Sequence, residues 1–215
     1  MISRSVPGYG LTLQMIGVLT SIYAPHTARC FDLGCSLGAA TLQMRHHLKG
    51  SQSHIVAVDS SAAMIDKLRK LLEADSGKIP VTLLQQDIRD VAITGADVVV
   101  LNFTLQFIPP AERKQLLQKI FDGMKPGAVL LLSEKIRFDD IRVDAQQSEM
   151  HEAFKRNQGY TDLEIAQKRT ALDNVLVRDS LAGHEQRLHS VGFKEVLVWF
   201  QCFNFFSLLA IRGRD

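Results

Sequence analysis

Six short apolar runs, at 28–33, 54–59, 81–85, 97–102, 128–133 and 194–200, are separated by stretches with helical periodicity. Strand followed by helix, repeated, predicts a parallel sheet with helices on both faces. The stretch 60–75 starts on an N-cap serine and spaces Met64, Leu68 and Leu71 or Leu72 along one helical face. A second helix opens on Pro109 and Pro110, spaces Leu116, Leu117 and Ile120, and stops before Lys125-Pro126-Gly127. The alternation ends near the C-terminus. There 194–200 and 204–211 are strand-like with only a short connection, so that pair should be antiparallel. A helix over 180–190, ended by Gly192, precedes them. The expectation is a seven-stranded, mostly parallel α/β sheet with an antiparallel last strand.

The region 136–179 is long for a sheet crossover and reads as a helical insertion over the carboxyl edge of the sheet. Thr161 with Glu164 forms a capping-box start, and Ile165, Leu172, Val175 and Leu176 supply an apolar stripe. With 215 residues, 46% hydrophobic and 22% charged, the chain suits one domain over 1–215 and excludes a disordered, collagen-like or coiled-coil chain. Lys plus Arg number 25 against 23 Asp plus Glu, a net +2, which gives no field for a polyanion and argues against direct nucleic-acid binding. Cys30, Cys35 and Cys202 have neither zinc-ribbon nor disulfide spacing and suit a reducing compartment, so a cytoplasmic location is expected. The apolar run at 203–211 is too short to span a bilayer, and the N-terminus lacks the apolar stretch of a secretory signal. His46 and His47 have no third ligand at metal spacing, so no metal is expected.

Between the first strand and its helix lies the turn Asp32–Ala40. Gly34 and Gly38 there let the backbone approach a ligand, and the middle position of the usual glycine pattern is Ser36. Alone this is a weak signal, since an ordinary strand-to-helix loop reads the same way. About 20 residues on, Asp59 ends the second strand at the spacing of a ribose-binding carboxylate. Asp87 ends the third strand, where it can accept from an adenine amino group beside the Ile88 backbone, and Asn102 ends the fourth. Each of these acids alone is more often a helix cap or turn residue. Four polar residues at successive strand ends share the edge where open parallel sheets bind ligands. The turn carries Asp32 and no Lys or Arg, which suits an amino-acid cofactor with a sulfonium centre better than a pyrophosphate.

This turn and the antiparallel last strand resemble the Rossmann-like class I S-adenosylmethionine-dependent methyltransferase fold. The segments RSVPGY (4–9), DLGCSLGAAT (32–41), VLNFTLQF (100–107), LSEK (132–135), EIAQKR (164–169) and VWFQCFNF (198–205) resemble the carboxy-S-adenosylmethionine synthase family. The last of these carries Val198 where the family has Leu. The resemblance implies conversion of S-adenosylmethionine and prephenate into carboxy-S-adenosylmethionine and phenylpyruvate. The product then feeds a separate tRNA uridine carboxymethyltransferase that acts on wobble uridine. By the same resemblance, Gly34, Cys35 and Ser36 lie against the amino-acid part of the cofactor, Asp59 and Ser60 meet the ribose, Asp87 and Ile88 flank the adenine, and Tyr9 and Asn102 complete the pocket. Ser60 stands where an asparagine is common and is expected to cap the following helix equally well. Cys35 should contribute backbone only.

Arg169 would pair with the extra carboxylate, a planar group that a guanidinium matches with two prongs. From spacing alone it is a surface arginine paired with Glu164 or Asp173. Arg4 is a weaker candidate for a second carboxylate of prephenate. Prephenate would lose its ring carboxyl as it aromatises, the departing hydroxide would take a proton from the sulfonium methyl, and the resulting carbanion would capture the carbon dioxide. The substrate then brings its own base, and no general base is expected from the protein. The resemblance also implies a homodimer, which fits the apolar last strands, while Trp199, Phe200, Phe203, Phe205 and Phe206 read as core or subunit contact. Family members carry an extension ahead of RSVPGY, a leading segment this chain is expected to lack. Two rivals remain: a small-molecule methyltransferase using the same pocket, and a noncatalytic tRNA-modification scaffold.

Overall fold

The computed structural model describes residues 2–50, 52–173 and 175–214. Its strands are β1 (Arg29–Leu33), β2 (His54–Asp59), β3 (Val81–Gln85), β4 (Ala96–Asn102), β5 (Met124–Lys135), β6 (Glu195–Cys202) and β7 (Phe205–Ile211), joined in one sheet of order β3-β2-β1-β4-β5-β7-β6. Strands β1 to β5 run parallel, β7 is antiparallel to β5, and β6 is antiparallel to β7, which is the expected arrangement. The helices are α1 (Ile2–Ser5), α2 (Tyr9–Tyr23), α3 (Ala39–His47), α4 (Ala62–Ala74), α5 (Pro110–Gly123), α6 (Ile141–Asn157), α7 (Asp162–Asp173) and α8 (Leu181–Ser190). The chain steps outward from β1 to β3, then restarts on the other side of β1 with β4. The carboxyl ends of β1 and β4 therefore flank a topological switch point.

The central strands are apolar throughout because both faces are covered. In β4, Val98 and Val100 pack with Ile16 of α2 and with Ala40 and Met44 of α3. Val99 and Leu101 turn the other way, toward Leu117 and Ile120 of α5 and Leu188 of α8. All four β4 side chains are fully buried, each worth roughly 1.5–3 kcal/mol of transfer free energy.

Several boundaries differ from the sequence reading for identifiable reasons. β5 begins at Met124 and runs through Lys125-Pro126-Gly127, because Gly127, at φ +80°, donates its N–H to Arg212 O at 2.8 Å and the register against β4 shifts there. The N-cap of α4 is Ser61 and not Ser60, and its buried face carries Ile65 and Leu68 while Leu71 is exposed. The capping box of α7 is present: the Thr161 N–H donates to Glu164 Oε2 at 2.8 Å, and the Glu164 N–H to Thr161 Oγ1 at 3.2 Å. Helix α7 ends at Asp173, so Val175 and Leu176 lie beyond it, and Val175 is exposed. Ile136 and Asp179 form an isolated parallel bridge that brings the two ends of the α6–α7 segment together.

Candidate ligand pocket at the carboxyl edge

The turn after β1 depends on two left-handed glycines. Gly34 has φ +80°, and a Cβ there would meet Thr104 Cγ2 at 2.4 Å. Gly38 has φ +77°, and its Cβ would meet Leu68 Cδ1 at 2.2 Å. Ser36, between them, is also left-handed at φ +50°. This conformation aims its N–H at Asp59 Oδ2, 2.8 Å away, while Asp59 Oδ1 accepts from Ser61 N–H at 2.9 Å. Gly34 and Cys35 N–H both donate to Val58 O, at 2.8 and 2.9 Å. The end of β2 thus clamps the turn, and Asp59 is oriented by two backbone donors with lone pairs left for a ligand.

A cavity of about 810 Å³ opens over this clamp. Tyr9, Gly34, Cys35, Ser36, Asp59, Ser60, Asp87, Ile88 and Asn102 all line it. The structure thus brings nine of the candidate residues to one wall. Arg169 and Arg4 are not on that wall. Arg169 is ion-paired with Glu152 of α6 and its side chain is 59% exposed. Arg4 donates to Gln158 O through Nε at 2.9 Å and Nη2 at 2.6 Å, and its guanidinium lies 5.0 Å from the centre of the Tyr160 ring. The partner that spacing suggested for Arg169, Glu164, is taken by the capping box. The Asp173 side chain lies outside the described ones.

The wall is acidic. Asp32 is fully buried and accepts from Thr41 Oγ1 at 2.5 Å; burial pushes its carboxyl up to about 6 against that hydrogen bond, and the charge of Asp59 adds to the rise. Burial also raises the Tyr9 phenol, with Asp32 contributing. The Cys35 thiol is raised by burial and by both aspartates, which fits a backbone role and no nucleophile. Asp87 is held low by Arg89, whose Nε and Nη2 reach its two oxygens at 3.0 and 2.7 Å. Arg89 lines the cavity and also pairs with Glu112 at 2.6 Å, so its charge is balanced locally. Asn102 Oδ1 is buried with no hydrogen-bond partner among the described residues.

Spacing did not point to Glu134, which positions further lining residues of the cavity. Fully buried, it accepts from the N–H groups of Thr104, Leu105 and Gln106 at 3.1, 2.8 and 3.0 Å, fixing cavity residue Thr104 and the 3-10 turn Leu105–Phe107 that follows it and carries cavity residue Phe107. Burial raises its carboxyl to about 8 against these donors and Arg113. The available signal was the polar pair Glu134-Lys135 closing an otherwise apolar strand. Another concavity, about 950 Å³, lies along α5 near Thr94 and Met124, at the amino ends of β4 and β5. Ligands of open α/β sheets bind at the opposite edge. Among the described residues no three His, Cys, Asp or Glu are grouped to hold a metal ion, and no helix is long and apolar enough to cross a membrane.

Comparison with known proteins agrees with this geometry. A methyltransferase-domain family model matches residues 31–127. The magnesium protoporphyrin IX methyltransferase of Synechocystis, solved with bound S-adenosylmethionine, superposes with a TM-score of 0.63 at 14% identity, covering 96% of this chain and 80% of that one, and so shares the fold. The carboxy-S-adenosyl-L-methionine synthase of Trichlorobacter lovleyi is 53% identical over 99% of this chain and 87% of its own length. That of Aeromonas salmonicida is 52% identical over 100% and 87%. With likeness of that extent running from end to end, the chain belongs to the carboxy-S-adenosyl-L-methionine synthase family.

Proposed function

We propose that the chain converts S-adenosylmethionine and prephenate into carboxy-S-adenosylmethionine and phenylpyruvate. The observation that carries the reading is the near-full-length likeness to synthases of that name together with nine ligand-wall residues lining one cavity. The wall suits this cofactor. Asp59 offers two carboxylate oxygens to a vicinal diol, the buried Asn102 Oδ1 lacks a donor that an ammonium would provide, and Asp32 favours positive charge. Arg89, the cation on the wall, is already paired, so nothing there calls for a pyrophosphate.

S-adenosylmethionine supplies a methyl group made acidic by the sulfonium, which exchanges a proton for the carboxyl that prephenate gives up. The task of the chain is to hold both reactants and exclude water. Arg169 pairs with the transferred carboxylate, leaving Glu152 to do so; Arg4 is the lesser candidate for a prephenate carboxylate. The product then serves a separate enzyme that carboxymethylates wobble uridine in tRNA, and the near-balanced charge of this chain fits a role without tRNA contact. A cytoplasmic homodimer belongs to the same reading. Large apolar side chains exposed on α2 (Leu11, Val18, Ile22) and β6 (Leu197, Val198) support the dimer.

The test is mass spectrometry of purified chain incubated with both substrates. A sulfonium product heavier by one carboxyl group, formed with phenylpyruvate, is expected. Methyl transfer to an acceptor without that product would favour the small-molecule methyltransferase, and tRNA binding without any turnover would favour the scaffold.

A further inference from the structure

We propose that Lys135 and Lys155 form a subsite for a dicarboxylate second substrate beside the cofactor cavity, an inference that deepens the function proposed above and rests on it. Lys135 ends β5 and Lys155 lies on α6. A row of rings links them to the cavity. Tyr9 and Phe103, both on the cavity wall, have centroids 6.3 Å apart. Phe103 meets Phe205 edge-on at 6.0 Å, and Lys135 Nζ lies 5.7 Å from the centre of the Phe205 ring. His151, one helical turn before Lys155, packs on the same Phe205 at 4.8 Å.

The charges here do not balance. Asp144 is held by two prongs of Arg178 at 3.0 and 3.1 Å. Glu152 pairs with Arg169 and Arg156, Asp162 with Arg156, and Glu164 with Thr161. Each of these four acids is thereby engaged. Neither Lys135 nor Lys155 has a carboxylate within 4 Å among the described residues, although Lys155 is only 7% exposed. His151 adds no compensating charge. Burial, with Lys135, Lys155 and Lys168 nearby, lowers it to about 3, so it is neutral and donates Nε2–H to Ser5 O at 2.8 Å.

Burial lowers Lys135 to about 8, with Arg178 and Lys155 adding repulsion, and lowers Lys155 in the same direction. Confined ammonium groups without counter-ions are costly in the free protein. Two of them near enough to repel each other fit a ligand that brings two carboxylates, which an S-adenosylmethionine pocket by itself does not require. The same cost makes a distinctive readout available, because an apolar side chain of similar length should stabilise the free chain while damaging this site.

The experiment compares wild type with Lys135→Met, Lys155→Met and the double variant. Calorimetric titration with S-adenosylmethionine should give unchanged affinity, which also reports folding. The KM for prephenate should rise about 10–100-fold in each single variant, as expected for loss of one charge-assisted contact. Malonate, a plain dicarboxylate, should raise the melting temperature of wild type and not that of the double variant, whose own melting temperature starts higher. An unchanged prephenate KM, or an equal malonate shift in wild type and double variant, overturns the subsite. Absence of carboxylated product from wild type would instead overturn the proposed reaction, and the malonate comparison would still decide the subsite.

Discussion

The carboxyl edge of this sheet holds two neighbouring regions of opposite charge. Over β1 and β2 the wall is acidic, with Asp32 buried and Asp59 clamped by backbone N–H groups. Beyond Phe103 and Phe205, Lys135 at the end of β5 and Lys155 on α6 have no carboxylate partner among the described residues. The first region suits a cationic sulfonium ligand and the second a polyanion. Putting them side by side allows two reactants of opposite charge to be held in contact without either region attracting the other's ligand. The regions also differ in construction. The acidic wall hangs on strand ends and tight turns, whereas the basic region pairs the end of β5, at Lys135, with Lys155 on helix α6 of the long insertion.

The largest expected effect comes from removing what joins the two. Glu134 lies between them, adjacent to Lys135 in sequence, and its carboxylate satisfies three consecutive N–H donors. Glu134→Ala should cost about 2–4 kcal/mol, since buried donors lose their acceptor. Glu134→Gln, which keeps the size and one acceptor oxygen, should cost less. Urea unfolding of the two variants checks both the loss and its order, and equal stability of wild type and Glu134→Ala would show that the turn does not depend on this carboxylate.

Breaking the acidic wall alone comes next. Asp59→Asn replaces one oxygen by an NH₂ facing either Ser36 N–H or Ser61 N–H, so the clamp loses an acceptor and a ribose loses a partner. Affinity for S-adenosylmethionine should fall about 10–100-fold by titration calorimetry, the equivalent of one charge-assisted hydrogen bond. The malonate response assigned to the lysines should persist. A malonate response lost in this variant would mean that the two regions are one site.

The difference in construction also decides what could be read from the sequence. In parallel strands the carboxyl ends lie at the same edge, so Asp59 and Asn102, the last residues of β2 and β4, and Asp87, two residues past the end of β3, could be placed together from the pattern of apolar runs, and all three line the cavity. The glycine turn was equally legible, because only its φ values and close approaches demand Gly34 and Gly38. Arg169 shows where such reasoning stops. Helical spacing offered Glu164 as its partner, yet that carboxylate is committed to the cap of α7, and Arg169 reaches across to Glu152 on α6. The Lys135–Lys155 region is still less local. Lys135 and His151, the latter one helical turn from Lys155, meet on Phe205 of a distant strand, and no periodicity links positions so far apart. Likewise the start of β5 depended on a bond from Gly127 to Arg212, a pairing visible only in the folded sheet.

A smaller effect follows from pH. The Asp32 carboxyl is raised from 3.8 to about 6, first by burial. Ionising it in the free fold therefore opposes folding: the stability associated with its protonated form is present below about pH 4 and is lost as pH rises through 6, by about 3 kcal/mol in all. A bound cation favours the ionised form and reverses part of that loss. Affinity for S-adenosylmethionine should therefore rise by up to about tenfold between pH 5 and 7 and then level off. Asp32→Asn should flatten the profile, and a profile unchanged in that variant would assign the titration to another group.

The smallest effect concerns the ion pair of Arg169 on α7 with Glu152 on α6. With the Arg169 side chain 59% exposed, the pair should contribute no more than about 0.5 kcal/mol to stability, so Glu152→Gln leaves the unfolding midpoint nearly unchanged. Its effect on ligands should be selective. If Arg169 turns from Glu152 to the carboxylate of the product, removing the competing acid raises affinity for carboxy-S-adenosylmethionine about 2–5-fold, the size of one exposed ion pair. Affinity for S-adenosylmethionine, which lacks that carboxylate, should not move. Equal changes for both ligands would leave Arg169 as a brace between α6 and α7, and the discrimination between the two sulfonium compounds would then fall to the lysines beyond Phe205.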